Sequence, residues 1–325
     1  MMLPFTARDG ENLALYEWPL GDADEASDLL QGHQARPIRG LVLMVHGLGE
    51  HALLYQQVAA ALMGWGFTVR AYDQRGHGRS GGAPGLVPTD NALLDDLAEI
   101  VGDARLRCRR QSEVDADADA PKPRHERLPL ILLGHSLGGL LAARFVALNP
   151  GAVDGLVLSS PAFDLGLGVW RKLLLALLPG LAPDLTIGNG LDPRDLCRDP
   201  QVVARYRADP LVHGKLSPRL ARFMVQAGRD TLAAAPRWVT PTLLMYAGAD
   251  RIVSPAGSDA FARSAALSPG VKPGTLTVRC FSGFHHELFN EPEADLVFSQ
   301  LRQWLDEKTQ ARNVKSPIKT GVSSY

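Results

Sequence analysis

The pentapeptide Gly134-His135-Ser136-Leu137-Gly138 carries the clearest chemical signal in the chain. Glycines two residues before and two after a serine allow close backbone approaches, so the serine can sit on a sharp turn with its hydroxyl exposed. The context fits: an apolar run, Leu130 to Leu133, predicts a buried strand before it, and Leu137 to Leu148 predicts a helix after it. A serine hydroxyl becomes nucleophilic only when a base takes its proton and a carboxylate holds that base in one tautomer. For a serine on a strand-to-helix turn, the acid and then the histidine are expected later in the chain. Asp250, in Gly248-Ala249-Asp250 after a strand ending at Tyr246, stands where the acid belongs, while Asp230 and Asp259 fall within or before predicted helices. His285 and His286 follow the last predicted strand. Adjacent side chains diverge, so only one of them can reach Ser136, and residue physics does not choose between them.

Attack on a carbonyl creates an oxyanion, which needs backbone N–H donors already aimed at it, each worth roughly 3 kcal/mol in the transition state. One donor is expected from Leu137, directly after the nucleophile. The other is expected from the loop His46-Gly47-Leu48-Gly49-Glu50-His51, with Leu48 the favoured position. His46 and Glu50 read as residues that brace this loop, because acid, base and nucleophile are already assigned. Two glycine patterns are decoys. Gly76 to Gly81 matches GxGxxG, but Gly82, Pro84 and Gly85 prevent a helix from opening there, which argues against a dinucleotide site. Gly134 to Gly139 has phosphate-loop spacing, but Leu140 stands where the lysine must be. No metal-ligand spacing occurs, and neither a metal nor a cofactor is expected.

The elements that must hold these residues alternate. Strands are predicted near Phe5–Ala7, Leu13–Trp18, Gly40–Val45, Phe67–Tyr72, Leu130–Leu133, Leu156–Leu158, Thr242–Tyr246 and Leu276–Phe281. Helices are predicted at Leu53–Trp65, Leu93–Ala104, Leu137–Leu148, Ala256–Leu267 and Glu293–Asp306. Short apolar strands alternating with amphipathic helices predict an α/β fold, a mainly parallel sheet with helices on both faces. Residues 161–236 break the rhythm: they are helical in pattern, proline-punctuated and without a convincing strand. They read as an insertion over the ligand crevice, between core segments 1–160 and 237–312. Within it, Trp170, Leu174 and Leu177 lie on a stretch that is apolar nearly all round, as expected of a buried helix or of an acyl-binding surface. Gly21–Arg36 and Gln111–Arg127 read as solvated loops, and 313–325 as a mobile tail.

The formal net charge of -1 implies no bulk attraction to nucleic acid or anionic membrane. Three cysteines without a CxxC pair predict free thiols in a reducing compartment. The N-terminus has no secretory pattern and no apolar run reaches the roughly 18 residues of a spanning helix, so a cytoplasmic protein is expected.

Together these motifs resemble the monoacylglycerol lipase and bacterial lysophospholipase family of α/β-hydrolases. The resemblance runs from Phe5 to about Leu305 and includes Asp9-Gly10 with Leu13, the 46–51 loop, Asp73 to Ser80, Gly134 to Gly139, Asp209 to Leu211 with Val212 to Lys215, and Gly248 to Asp250. The closing Gly283 to Pro292 is similar to the family's histidine loop, in which the catalytic histidine comes three residues after the glycine; that spacing selects His286. The resemblance implies the α/β-hydrolase fold, a helical cap, an apolar acyl channel and no cofactor. It also implies hydrolysis of a monoacylglycerol or lysophospholipid ester through an acyl-enzyme. The substrate would be a small lipid-like ester, with transient membrane-surface contact through the cap and no nucleic acid partner. Rival readings are a small-molecule carboxylesterase, an acyltransferase, or a non-catalytic binding protein of the same fold.

Overall fold

The computed structural model describes residues 1–18, 38–114, 127–166, 182, 185–267 and 274–313. Strands β1 (Met2–Thr6) and β2 (Asn12–Trp18) form a hairpin around Gly10, whose φ of 90° closes the turn. Then follow β3 (Gly40–Val45), α1 (Gln56–Gly64), β4 (Phe67–Tyr72), α2 (Ala92–Val114), β5 (Leu130–His135), α3 (Leu137–Leu148) and β6 (Gly155–Ser159). The inserted stretch holds β7 (Ile187–Gly188), α4 (Pro200–Ala208), β8 (Lys215–Leu216) and α5 (Pro218–Ala234). The chain closes with β9 (Thr242–Ala247), α6 (Pro255–Ala266), β10 (Leu276–Phe281) and α7 (Ala294–Asn313).

Eight strands make one sheet in the order β1-β2-β4-β3-β5-β6-β9-β10, antiparallel at its β1-β2-β4 edge and parallel from β4 onward. Strands β3, β5, β6 and β9 are buried along their whole length, which is why they read as continuous apolar runs. Alternate residues feed two cores. Leu43, Leu132, Leu158 and Leu244 face one side with α2, α3, α5 and α6, while Met44, Leu133, Val157 and Leu243 face the other with α1 and α7. Val45 pairs with Gly134, Gly134 with Leu158, Leu158 with Leu244, and Leu244 with Val278. That level row brings the carboxyl ends of β3, β5, β9 and β10 to one edge, where the chemistry is expected.

Three details differ from the sequence-based expectations. The inserted stretch does hold strand pairing: β7 and β8 form a two-residue antiparallel ladder, too short to leave an apolar pattern. Helix α2 continues through Val114, four residues into the expected 111–127 loop. The expected helix Leu53–Trp65 begins with a 3-10 turn, Ala52–Tyr55, before α1. Helix α5, the last part of 161–236, buries Leu220, Phe223, Met224 and Ala227 in the same core as α3 and so joins the sheet-covering layer. Trp170, Leu174 and Leu177, and most of the 21–36 and 111–127 loops, lie outside the described residues.

Candidate active site

Ser136 sits between β5 and α3 with φ 52° and ψ −118°, a conformation that L side chains rarely adopt. Three backbone hydrogen bonds hold it there: Ser136 N–H donates to Ser159 O at 3.0 Å, and Ser136 O accepts from Leu140 and Ala162, also at 3.0 Å. The flanking glycines are sterically required. A Cβ at Gly138 would lie 2.1 Å from the Val45 carbonyl oxygen, and one at Gly134 would lie 2.4 Å from that of Gly138. The Ser136 turn therefore packs backbone to backbone against the end of β3, beside the 46–51 loop. Buried Leu137 opens α3, where helix geometry leaves its N–H without an intrahelical partner. Leu48 is half-buried in the facing loop.

The structure brings His286 and Asp250 together. His286 Nδ1 lies 2.7 Å from Asp250 Oδ2, and both side chains are 2% exposed. Asp250 Oδ1 accepts the N–H groups of Ile252 at 2.9 Å and Val253 at 3.0 Å, so the carboxylate cannot turn away. The two loops are tied by Gly248 N–H to Phe281 O at 2.9 Å and Ala249 N–H to Phe284 O at 3.1 Å. Gly283, at φ 83°, makes the bend that carries His286 back over the sheet edge. Its ring centroid is 4.7 Å from that of His135, the neighbour of Ser136. His285 does not take this place; it is half-buried beside the paired His286. Asp230 is engaged with Arg144 at 2.9 Å and Asp259 with the Tyr246 hydroxyl, so both are held elsewhere. Burial alone would lower the His286 pKa, but the Asp250 hydrogen bond and the charges of Asp250, Glu50 and Glu287 outweigh it and raise the value.

A cavity of about 360 Å³ with mixed polar and apolar walls is lined by Glu50, Tyr55, His135, Arg205, Tyr206 and Glu287 among others; it reaches His135 and Glu287, the chain neighbours of Ser136 and His286, but not those two residues themselves. Burial raises the Glu50 pKa against the hydrogen bonds it accepts from Tyr55 OH at 2.6 Å and Gly47 N–H at 2.8 Å. Burial, and then the charge of Glu50, lift Glu287 to about 7. Sequence reasoning placed Glu50 as a loop brace and did not single out His135, Tyr206 or Glu287. The four are far apart in the chain and meet only because strand ends and the insertion converge. Adjacency was the available signal for two of them: His135 precedes Ser136 and Glu287 follows His286.

Residues between 185 and 217 are tied to the 46–51 loop and to the histidine loop at several points. His213 N–H donates to Gly49 O at 3.0 Å, His51 Nε2 pairs with Asp209 Oδ2 at 2.9 Å, and Glu287 N–H donates to Leu196 O at 2.8 Å. Among the described residues no group of His, Cys, Asp and Glu side chains is arranged to hold a metal ion. Among them, too, no helix is long and apolar enough to cross a membrane.

Residues 36–293 match the family model described as Serine aminopeptidase, S33. The chain is 37% identical over 270 residues to a monoacylglycerol lipase of Mycolicibacterium smegmatis, covering 82% of this chain and 88% of that protein. The chain belongs to this serine hydrolase family. It is also 29% identical to the phospholipase YtpA of Bacillus subtilis, over 84% of this chain and 96% of that protein. The crystal structure of a Paleococcus ferrophilus monoacylglycerol lipase superposes with a TM-score of 0.71 at 30% identity, covering 90% of this chain and 99% of that one. The fold is the α/β-hydrolase fold, and the chain is a serine hydrolase. The two relatives named above are a lipase and a phospholipase.

Proposed function

We propose that this hydrolase cleaves the carboxylic ester of a monoacylglycerol, with Ser136, His286 and Asp250 as nucleophile, base and orienting acid. The observation that carries this reading is the buried 2.7 Å contact between His286 Nδ1 and Asp250 Oδ2, on loops beside the strained Ser136 turn. With its proton held on Nδ1 by Asp250, His286 offers the Nε2 lone pair to the serine hydroxyl. Ser136 Oγ attacks the ester carbonyl while its proton passes to Nε2. The Leu48 and Leu137 amides are the donors we assign to the oxyanion. As the tetrahedral species collapses, the C–O bond to the alcohol breaks and His286 returns the proton to that alcohol. Water then repeats the sequence on the acyl-serine and releases the fatty acid.

The relatives named monoacylglycerol lipase, at 37% and 30% identity, support a glycerol leaving group. Residues 161–217 would form the cap, with Trp170, Leu174 and Leu177 contributing the acyl-binding or membrane-facing surface.

The test is kcat/KM for monomeric 1-acylglycerols of graded length, kept below their aggregation limit, beside acetyl esters and matched lysophospholipids. Each methylene moved from water into an apolar channel gains about 0.8 kcal/mol, so kcat/KM should rise by up to about fourfold per carbon over the first several carbons. Preference for acetyl over octanoyl esters would contradict the lipid reading. Preference for the lysophospholipid would contradict the glycerol assignment.

A further inference from the structure

The loop assigned to the oxyanion contains one peptide group whose orientation decides whether it attracts or repels. In the Gly47–Leu48 peptide, the Gly47 carbonyl and the Leu48 N–H belong to one planar trans unit and point in opposite directions. Whatever fixes the carbonyl therefore aims the N–H. The partner of that carbonyl is His46: its Nδ1 lies 2.8 Å from Gly47 O.

The tautomer of His46 follows from its other contact. The backbone N–H of Gln74 lies 2.8 Å from His46 Nε2, and a backbone N–H can only donate. Nε2 is therefore the acceptor, and the ring proton is on Nδ1, where it donates to Gly47 O. The Gln74 side-chain amide donates to His46 O at 2.5 Å, so the residue is gripped at ring and backbone alike. His46 is 1% exposed. Burial pushes its pKa down to about 3, so the ring stays neutral and this tautomer persists wherever His286 works as a base. On the other flank, Gly47 N–H donates to Glu50 Oε2 at 2.8 Å.

We infer that His46 is a positioning residue for catalysis, clamping the Gly47–Leu48 peptide so that the Leu48 N–H faces the reacting carbonyl. This rests on the reading of Leu48 as an oxyanion donor. Gly47 has no Cβ and resists rotation of its peptides least of any residue type, so the clamp is needed at this position. If the peptide turned over, a carbonyl oxygen would face the oxyanion and a stabilising contact would become a repulsive one. The hydrogen bond to Gly47 O also polarises the peptide and makes the Leu48 N–H a stronger donor.

The experiment compares wild type with His46→Ala, His46→Asn and His46→Gln. The Asn amide nitrogen can take the Nδ1 position and donate to Gly47 O. The Gln amide can replace Nε2 but does not reach that carbonyl. In His46→Ala, kcat for a monomeric acylglycerol should fall about 10²-fold with KM little changed, the size expected for one lost oxyanion donor. Inhibition by an alkyl boronic acid, which forms a tetrahedral adduct on the serine, should weaken in parallel, while binding of a non-reacting alkyl ether of glycerol should not. His46→Asn should recover much of the loss and His46→Gln should not. Equal activity of Asn and Gln variants, or unchanged kcat and boronate affinity in His46→Ala, would overturn the inference; the Asn–Gln comparison serves if the Ala variant does not fold. The Leu48 amide proton separates the two levels. If boronate binding leaves its NMR shift unmoved in wild type, Leu48 is not the donor and the underlying assignment fails. If it moves downfield equally in wild type and in an active His46→Ala, the donor stands and only the role of His46 is overturned.

Discussion

Asp250 uses both carboxylate oxygens inside the protein, Oδ1 on the amides of Ile252 and Val253 and Oδ2 on His286. Burial of His286 is opposed chiefly by that one carboxylate, so its pKa is raised. If His286 is the base, as proposed, it must be neutral to take the serine proton, and kcat/KM should rise with pH through this raised value. Asp250→Asn removes the charge and lets burial act with less opposition, so the acid limb should move to lower pH while kcat falls by roughly 10⁴-fold. A pH profile over the acid limb checks both. Glu287 makes an independent test. Burial raises its pKa from an ordinary 4.5 to about 7, so between those values the native state binds more protons than the unfolded chain. Stability from this group is then lost as pH rises through that window, the reverse of a salt-bridged carboxylate. Glu287→Gln should flatten that decline, leaving the variant more stable relative to wild type at pH 8 than at pH 4.5. Melting temperatures at the two pH values decide it.

At the scale of elements, the site depends on how closely β5, α3 and the end of β3 approach. Gly138 has the Val45 carbonyl oxygen 2.1 Å and the His46 carbonyl oxygen 2.5 Å from where a Cβ would be. Both neighbours are backbone and cannot swing aside. Gly138→Ala should therefore push α3 away from the 46–51 loop, destabilising the protein by about 1–3 kcal/mol and separating the two assigned oxyanion donors. Denaturant unfolding and kcat are the measurements, and kcat should fall by more than the folded fraction explains. A fully active variant would mean that the turn tolerates a Cβ and that the close approach is not required. Most of these elements were legible beforehand: a strand buried on both faces leaves a continuous apolar run, and β3, β4 and α3 lie where those runs predict. The β7–β8 ladder was not legible, because two residues per strand carry no periodicity.

For the whole molecule, the parallel sheet explains why residues from 46 to 286 share one edge, and why the order serine, acid, histidine could be read from the chain. The assignment of His286 over His285 came from a family spacing, not from residue physics, and the structure places His286 against Asp250. The cavity was hidden for a different reason. Glu50, His135, Tyr206 and Glu287 come from a loop, a strand end, the insertion and the histidine loop, and no local pattern announces such a convergence. The most direct measurement of the central claim is reaction with a fluorophosphonate, followed by mass spectrometry of the digested protein and by assay of 1-octanoylglycerol hydrolysis. One adduct per chain is expected, on the peptide carrying Ser136, with hydrolysis lost in proportion to labelling and no labelling of that peptide in Ser136→Ala. Modification of a different residue, or undiminished hydrolysis once Ser136 is fully labelled, would contradict it.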